Sequence, residues 1–178
     1  MRCLLAIALL ATAAAADPLP SGSIGLVGGG ASGTGADAKV IGFGYNIGLM
    51  AAWQPMNTDR RIGWAVRWAT LFGGLYTGSA AQIEPTLRTV HMDFTAGVRY
   101  RPWASPSSYL TLRGGAEMLR TNEPLPPQMH RSFVGGIAEL GVEHYLGPAL
   151  FDVDLRYGLV GSEPSNVALL FGVSLTGP

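Results

Sequence analysis

Large apolar residues alternate with small or polar ones along most of this chain. The clearest run is 39–53, KVIGFGYNIGLMAAW. Ile41, Phe43, Tyr45, Ile47, Leu49, Ala51 and Trp53 hold its odd positions; Gly42, Gly44, Asn46, Gly48 and Ala52 hold even ones, with Met50 the one large exception. A period of two is the signature of a strand with one apolar face. Strands of soluble proteins run to about 5–6 residues, whereas about 9–11 residues tilted by about 45° cross a bilayer core, and this run is longer. The face that would fill a soluble core is mostly glycine. The large residues are therefore expected to meet lipid, and the small ones a narrow lumen.

The same alternation recurs seven more times. A short first strand spans 21–29, with Ile24 and Leu26 outward. A third spans 60–76, with Ile62, Trp64, Val66, Trp68 and Phe72 outward; a fourth spans 86–101, with Val90, Met92, Phe94, Val98 and Tyr100 outward. Strands at 108–121, 132–146, 150–161 and 166–175 complete the set of eight. QPMNTD, PWASPS and LGPA have the chemistry of tight turns after the second, fourth and sixth strands; the links after the first, third and fifth are longer and that after the seventh is modest. NEPLPPQMHR at 122–131 is expected to be a linker, because proline does not belong in a strand interior. Bacterial barrels have even strand numbers, short periplasmic turns and longer outer loops. The fold class expected is an all-β, eight-stranded antiparallel up-and-down transmembrane barrel.

Residues 1–16, MRCLLAIALLATAAAA, have a basic start, a short apolar core and small residues before Asp17, the form of a secretory signal peptide. The barrel domain is then 17–178. Cys3, the one cysteine, falls inside the signal, so disulfides and cysteine metal sites are not expected in the mature chain. Charged residues make up 13% and the net charge is zero, which gives no basic excess for nucleic acid. No cofactor or metal site is expected.

The mature chain resembles the small eight-stranded outer-membrane barrels of the OmpA, OmpX and opacity-type class. The resemblance covers essentially all of 17–178 and rests on the strand pattern. VALLFGVSL near the C-terminus is similar to the assembly signal of such barrels, although the chain ends in Thr176, Gly177 and Pro178 without a terminal aromatic. The resemblance implies the outer membrane of a Gram-negative bacterium, with membrane lipid, lipopolysaccharide and the outer-membrane assembly machinery as partners, and it leaves room for an envelope protein partner. A soluble lipocalin-like barrel would reverse the two faces.

Four groups of residues carry the chemistry. Parity places Asp93, Glu117, Glu139, Glu143, Asp152 and Asp154 in the lumen with Arg67, Arg99, Arg101, Arg113 and Arg156, and an eight-stranded interior is just wide enough for side chains to fill. A near balance of charge suggests an ion-pair plug, with a small gated conduit as the alternative. Counting back from LGPA sets Tyr145 opposite Leu150, Glu139 opposite Arg156 and Glu143 opposite Asp152. Arg113 is the candidate bridge for the last pair; otherwise one carboxyl holds a proton or the register differs. His91 is expected to be a lumenal hydrogen-bonding residue. Lys39, Arg88, Arg120 and Arg131 gather near the long loops, where arginine suits lipopolysaccharide phosphates. Trp53, Tyr100, Trp103 and Tyr109 lie near strand ends, as in an interfacial aromatic girdle. One family of lipid A deacylases on such barrels uses His-x-Ser with a downstream Glu. His130, Arg131 and Ser132 are similar to that motif, with Glu139 and Glu143 further on and Phe133 where the family has Asn. The match is short; no catalytic residue is assigned and no enzyme is expected.

Overall fold

The computed structural model describes residues 21–34, 43–54, 61–75, 87–102, 107–125, 130–160 and 165–177. They form eight strands: β1 (Ser21–Gly33), β2 (Phe43–Gln54), β3 (Ile62–Leu75), β4 (Leu87–Tyr100), β5 (Ser108–Leu125), β6 (His130–Leu146), β7 (Ala149–Val160) and β8 (Ser165–Thr176). Each pairs antiparallel with the next, and β8 pairs with β1 to close a barrel. Closure leaves no open sheet edge, the condition a sheet must meet to cross a membrane.

The two faces divide as the alternation predicts. Ile24 is 72% exposed and its neighbour Ser23 3%; Phe171 is 55% exposed and Leu170 0%. The outward belt is formed by Leu26, Ile47, Leu49, Trp68, Phe94, Leu112, Leu140, Leu155 and their like, an apolar surface too extensive for water. Among the described residues, Arg88 and Arg120 are the Lys, Arg, Asp or Glu that share the parity of the lipid-facing positions; Glu123 and Arg131, at the β5–β6 register break, are exposed as well. Arg88 and Arg120 both lie at the long-loop end.

The β6–β7 hairpin turns on Gly147, at a φ of 61°, and Pro148, with Leu146 paired to Ala149. A two-residue hairpin needs a positive φ at its first central position, which glycine adopts at no steric cost. That turn fixes the register of both strands, so Tyr145 meets Leu150, Glu139 meets Arg156 and Glu143 meets Asp152, as counted from the sequence. A different constraint holds Gly115, where an added Cβ would lie 1.9 Å from the Phe94 carbonyl on β4. The bare α-carbon lets the two backbones come this close there.

Two boundaries differ from expectation. β1 continues through Gly30–Gly33, pairing with both β2 and β8. Its GGGASG run carries no alternation to read, yet backbone pairing needs none. β5 also runs past Thr121 to Leu125, into the stretch expected to be a linker, and His130 begins β6 instead of lying in a loop. The β5–β6 register breaks between Arg120 and Leu125. Pro124 falls inside that break, where the ladder asks for no N–H. The Asn122 Oδ1 accepts from the Arg88 backbone N–H at 2.7 Å, and the Thr121 hydroxyl donates to the Glu123 carbonyl at 2.6 Å.

Inside, the core is divided between two materials. Val27, Ala31, Met50, Ala69, Leu71, Ala168 and Leu170, from β1, β2, β3 and β8, make an apolar cluster. The charged residues come from β3 to β7.

Candidate functional site: a charged lumen and a basic rim

Period-two alternation turns one residue in two toward the barrel axis, and on β3 to β7 many of those residues are ionisable. Arg67, Arg99, Arg113 and Arg156 are buried there with Asp93, Glu117, Glu139, Glu143, Asp152 and Asp154. A lone charge in such a place is costly, so buried charges find partners. Arg113 does so three ways: its Nε donates to Glu139 at 3.1 Å, its Nη1 to Glu143 at 3.1 Å and its Nη2 to Asp154 at 2.7 Å. Arg67 reaches across the barrel to Glu139 and Asp154. The Thr95 hydroxyl completes the shell of Glu139 at 3.2 Å.

A second group sits nearer the long-loop end. Arg156 pairs with Asp93 at 2.6 Å and with Glu117. The His91 Nδ1 lies 2.5 Å from the same Glu117 oxygen, so His91 is the lumenal hydrogen-bonding residue its parity indicates. A third group closes the short-turn end. The Arg99 Nε donates to Glu143 at 3.1 Å and its Nη2 to the Tyr145 hydroxyl at 2.9 Å. Its guanidinium lies 3.9 Å from the centre of the Tyr109 ring, which meets Tyr145 edge-on at 5.9 Å.

These contacts correct several expectations. Glu139 and Arg156 are register neighbours, but neither pairs with the other: Glu139 belongs to Arg67 and Arg113, and Arg156 to Asp93 and Glu117. Long side chains lean away from the ladder, so facing backbones do not dictate ion pairs. Arg113 bridges Glu143 to Asp154, not to Asp152. Arg101 is half-buried at a strand end, where its backbone N–H donates to the Arg61 carbonyl at 2.8 Å. The buried set is then six carboxylates and four guanidiniums among the described residues.

Tyr109 is not part of a lipid-facing girdle. It is buried in the lumen, and its parity with Thr111 and Arg113 was the available signal. Trp53 and Tyr100 do face outward near the short-turn end, while Trp103 and Lys39 lie outside the described residues. Arg88 and Arg120 are exposed diagonal neighbours, since Arg120 pairs with Val90 and Thr89 with Thr121; such positions are roughly 7–8 Å apart. Arg131 is exposed too, but shares the parity of lumenal Phe133, so it stands on the other face of β6. Ser132 faces outward and Glu139 and Glu143 inward. A barrel wall therefore separates the serine from both carboxylates, and the deacylase-like constellation is not assembled.

No protein-family model and no curated protein matches the sequence at a significant level. Solved structures do match. Ail, the attachment invasion locus protein of Yersinia pestis, is similar with a TM-score of 0.60 at 16% identity, over 90% of this chain and 99% of Ail. Ail has also been solved in complex with sucrose octasulfate, a heparin analogue. Neisserial surface protein A is similar with a TM-score of 0.54 at 16% identity, over 86% of this chain and 96% of that one. The chain thus has the closed eight-stranded fold of outer-membrane barrels.

Proposed function

We propose that this chain is an outer-membrane protein of a Gram-negative bacterium that works at its outer rim, with its lumen held shut. It acts as a structural and interaction barrel, neither a general porin nor an enzyme. The observation that carries this reading is the cross-barrel network, in which Arg67 and Arg113 bind shared carboxylates from β6 and β7. Opening a conduit would separate several buried pairs at once, and breaking even one costs about 3–5 kcal/mol. Planar-bilayer recording of the purified protein tests it. No sizeable steady conductance is expected; stable nanosiemens steps would refute the closed lumen.

The rim has a partner chemistry. Arg88 and Arg120 stand where a lipid-facing cation costs almost nothing, in contrast to about 2–4 kcal/mol at the midplane. Beside Arg88 an outer-face groove of about 330 Å³ is lined by Tyr45, Ile47, Phe72 and Val90. Guanidinium beside an apolar groove suits a phosphorylated lipid, as lipopolysaccharide is. The polyanionic sugar seen on Ail is in keeping with this. Native mass spectrometry is expected to show lipopolysaccharide adducts on wild type and fewer on Arg88→Ala/Arg120→Ala. Equal retention would leave the arginines as cations reaching for water.

A further inference from the structure

Among the described residues, five of the six buried lumenal carboxylates are held by arginine. Asp154 and Glu139 have Arg67 and Arg113; Glu143 has Arg99 and Arg113; Asp93 and Glu117 have Arg156. Asp152 is the exception. It is 5% exposed, neither of its carboxylate oxygens accepts a hydrogen bond from a basic or hydroxyl side chain or a backbone N–H, its one carboxyl neighbour is Asp154, and its nearest cation is Arg67 Nη1 at 3.8 Å. Its carboxyl leans over Gly172 on β8, where an added Cβ would lie 2.2 Å from Oδ1 and 2.6 Å from Oδ2.

Two more buried oxygens lie further toward the short-turn end. Ser174 on β8 is 1% exposed and Ser23 on β1 is 3% exposed, and neither Oγ hydrogen-bonds to any protein group. The register steps from one to the next. Asp152 pairs with Gly172, two residues from Ser174; Ser174 pairs with Gly25, two residues from Ser23. Asp152, Ser174 and Ser23 therefore form a diagonal row across β7, β8 and β1.

We propose that this row is a site for an alkali-metal cation of sodium size, with Asp152 and Ser174 as direct ligands and Ser23 as the step toward the short-turn end. The ligand set is all oxygen, which selects hard cations over thiolate- and imidazole-seeking metals. Its single carboxylate matches a single charge. Among the described residues no three His, Cys, Asp or Glu side chains gather in a group that could hold a metal ion. A proton on Asp152, shared with Asp154 two residues along the same face, would also neutralise the charge. It would serve one contact, however, and leave the second carboxylate oxygen and the serine hydroxyls without a common partner. A cation takes the Asp152 carboxylate and the Ser174 hydroxyl together, with Ser23 one diagonal step further along the row. The site goes beyond the rim function proposed above and stands independently of it.

The test uses the barrel refolded in zwitterionic detergent at pH 8, with choline chloride replaced stepwise by sodium chloride at constant ionic strength. Urea unfolding is followed by tryptophan fluorescence. A cation that binds only the folded barrel multiplies the folded-to-unfolded ratio by one plus its concentration over Kd, about tenfold at ten times Kd. Asp152→Asn is expected to lose this response. Ser174→Ala, which keeps the carboxylate, is expected to need more sodium for the same shift, and it carries the test should Asp152→Asn not fold. Sodium-23 line broadening on the wild type, relieved in Asp152→Asn, reads binding directly. Identical unfolding of wild type in sodium and choline would overturn the site, as would an undiminished response in both variants. Stabilisation by lower pH alone, without cation dependence, would overturn it in favour of the shared proton.

Discussion

Arg113→Met should be the most damaging single change in the lumen. Arg113 holds Glu139, Glu143 and Asp154 at 2.7–3.1 Å and is 3% exposed. Three charge-assisted hydrogen bonds at about 1.5–3 kcal/mol each set an upper limit. The net loss is smaller, because every one of the three carboxylates keeps a second arginine: Arg67 for Glu139 and Asp154, Arg99 for Glu143. Removing the cation still leaves six buried carboxylates facing three guanidiniums among the described residues. We expect a loss of about 3–5 kcal/mol, the cost of breaking a buried pair from one side. Urea unfolding in lipid vesicles, followed by tryptophan fluorescence, measures it. Adding Glu139→Gln to Arg113→Met removes one of the stranded charges, so the double variant should be at least about 1 kcal/mol more stable than the sum of the singles implies. A single-variant loss below about 1 kcal/mol, or strict additivity in the cycle, would refute the network as a stabilising unit.

Four other outcomes follow from the same geometry. Glu139 should couple to Arg67 more strongly than to its register neighbour Arg156, by at least about 1 kcal/mol in double-mutant cycles; the reverse order would restore the ladder pair. Gly114→Ala should change stability by less than about 0.5 kcal/mol, because its Cβ meets only the Ile137 carbonyl at 3.7 Å. Gly115→Ala, with its Cβ 1.9 Å from the Phe94 carbonyl, should abolish or strongly reduce the heat-modifiable folded band, and equal folded yields would contradict the close approach of the two backbones. In single-tryptophan variants, Trp68, paired with Ala51 and Phe94, should be quenched best by lipids labelled deep in the chain and Trp53 by those labelled near the headgroup. A deep Trp53 would move the strand ends.

Some of the candidate chemistry was decidable from the alternation. Tyr109 is two residues from Thr111 and four from Arg113, so parity already turned it inward, where it stacks on Arg99. Ser132 and Glu139 differ by an odd number, and a strand places such residues on opposite faces. Residue spacing along β6 is therefore enough to exclude the deacylase-like grouping. The boundary at 122–125 was not legible in the same way, since a register break can absorb a proline that an unbroken ladder cannot.

The eight strands, the face of each that meets lipid, and the β6–β7 register can all be read along the chain. All three depend on local facts: a period of two, turn residues, and a glycine with positive φ. Which lumenal charges meet cannot be read that way. Arg67 is on β3, and its partners Glu139 and Asp154 are on β6 and β7, strands that do not pair with β3. Barrel closure brings them across the axis from one another, and the lengths of the guanidinium and carboxylate side chains select among the pairs within reach. Asp152 shows the same division. Parity and turn register place it in the lumen opposite Glu143. Closure alone commits the buried arginines to other carboxylates and lays the Asp152 carboxyl over Gly172, in a row with Ser174 and Ser23.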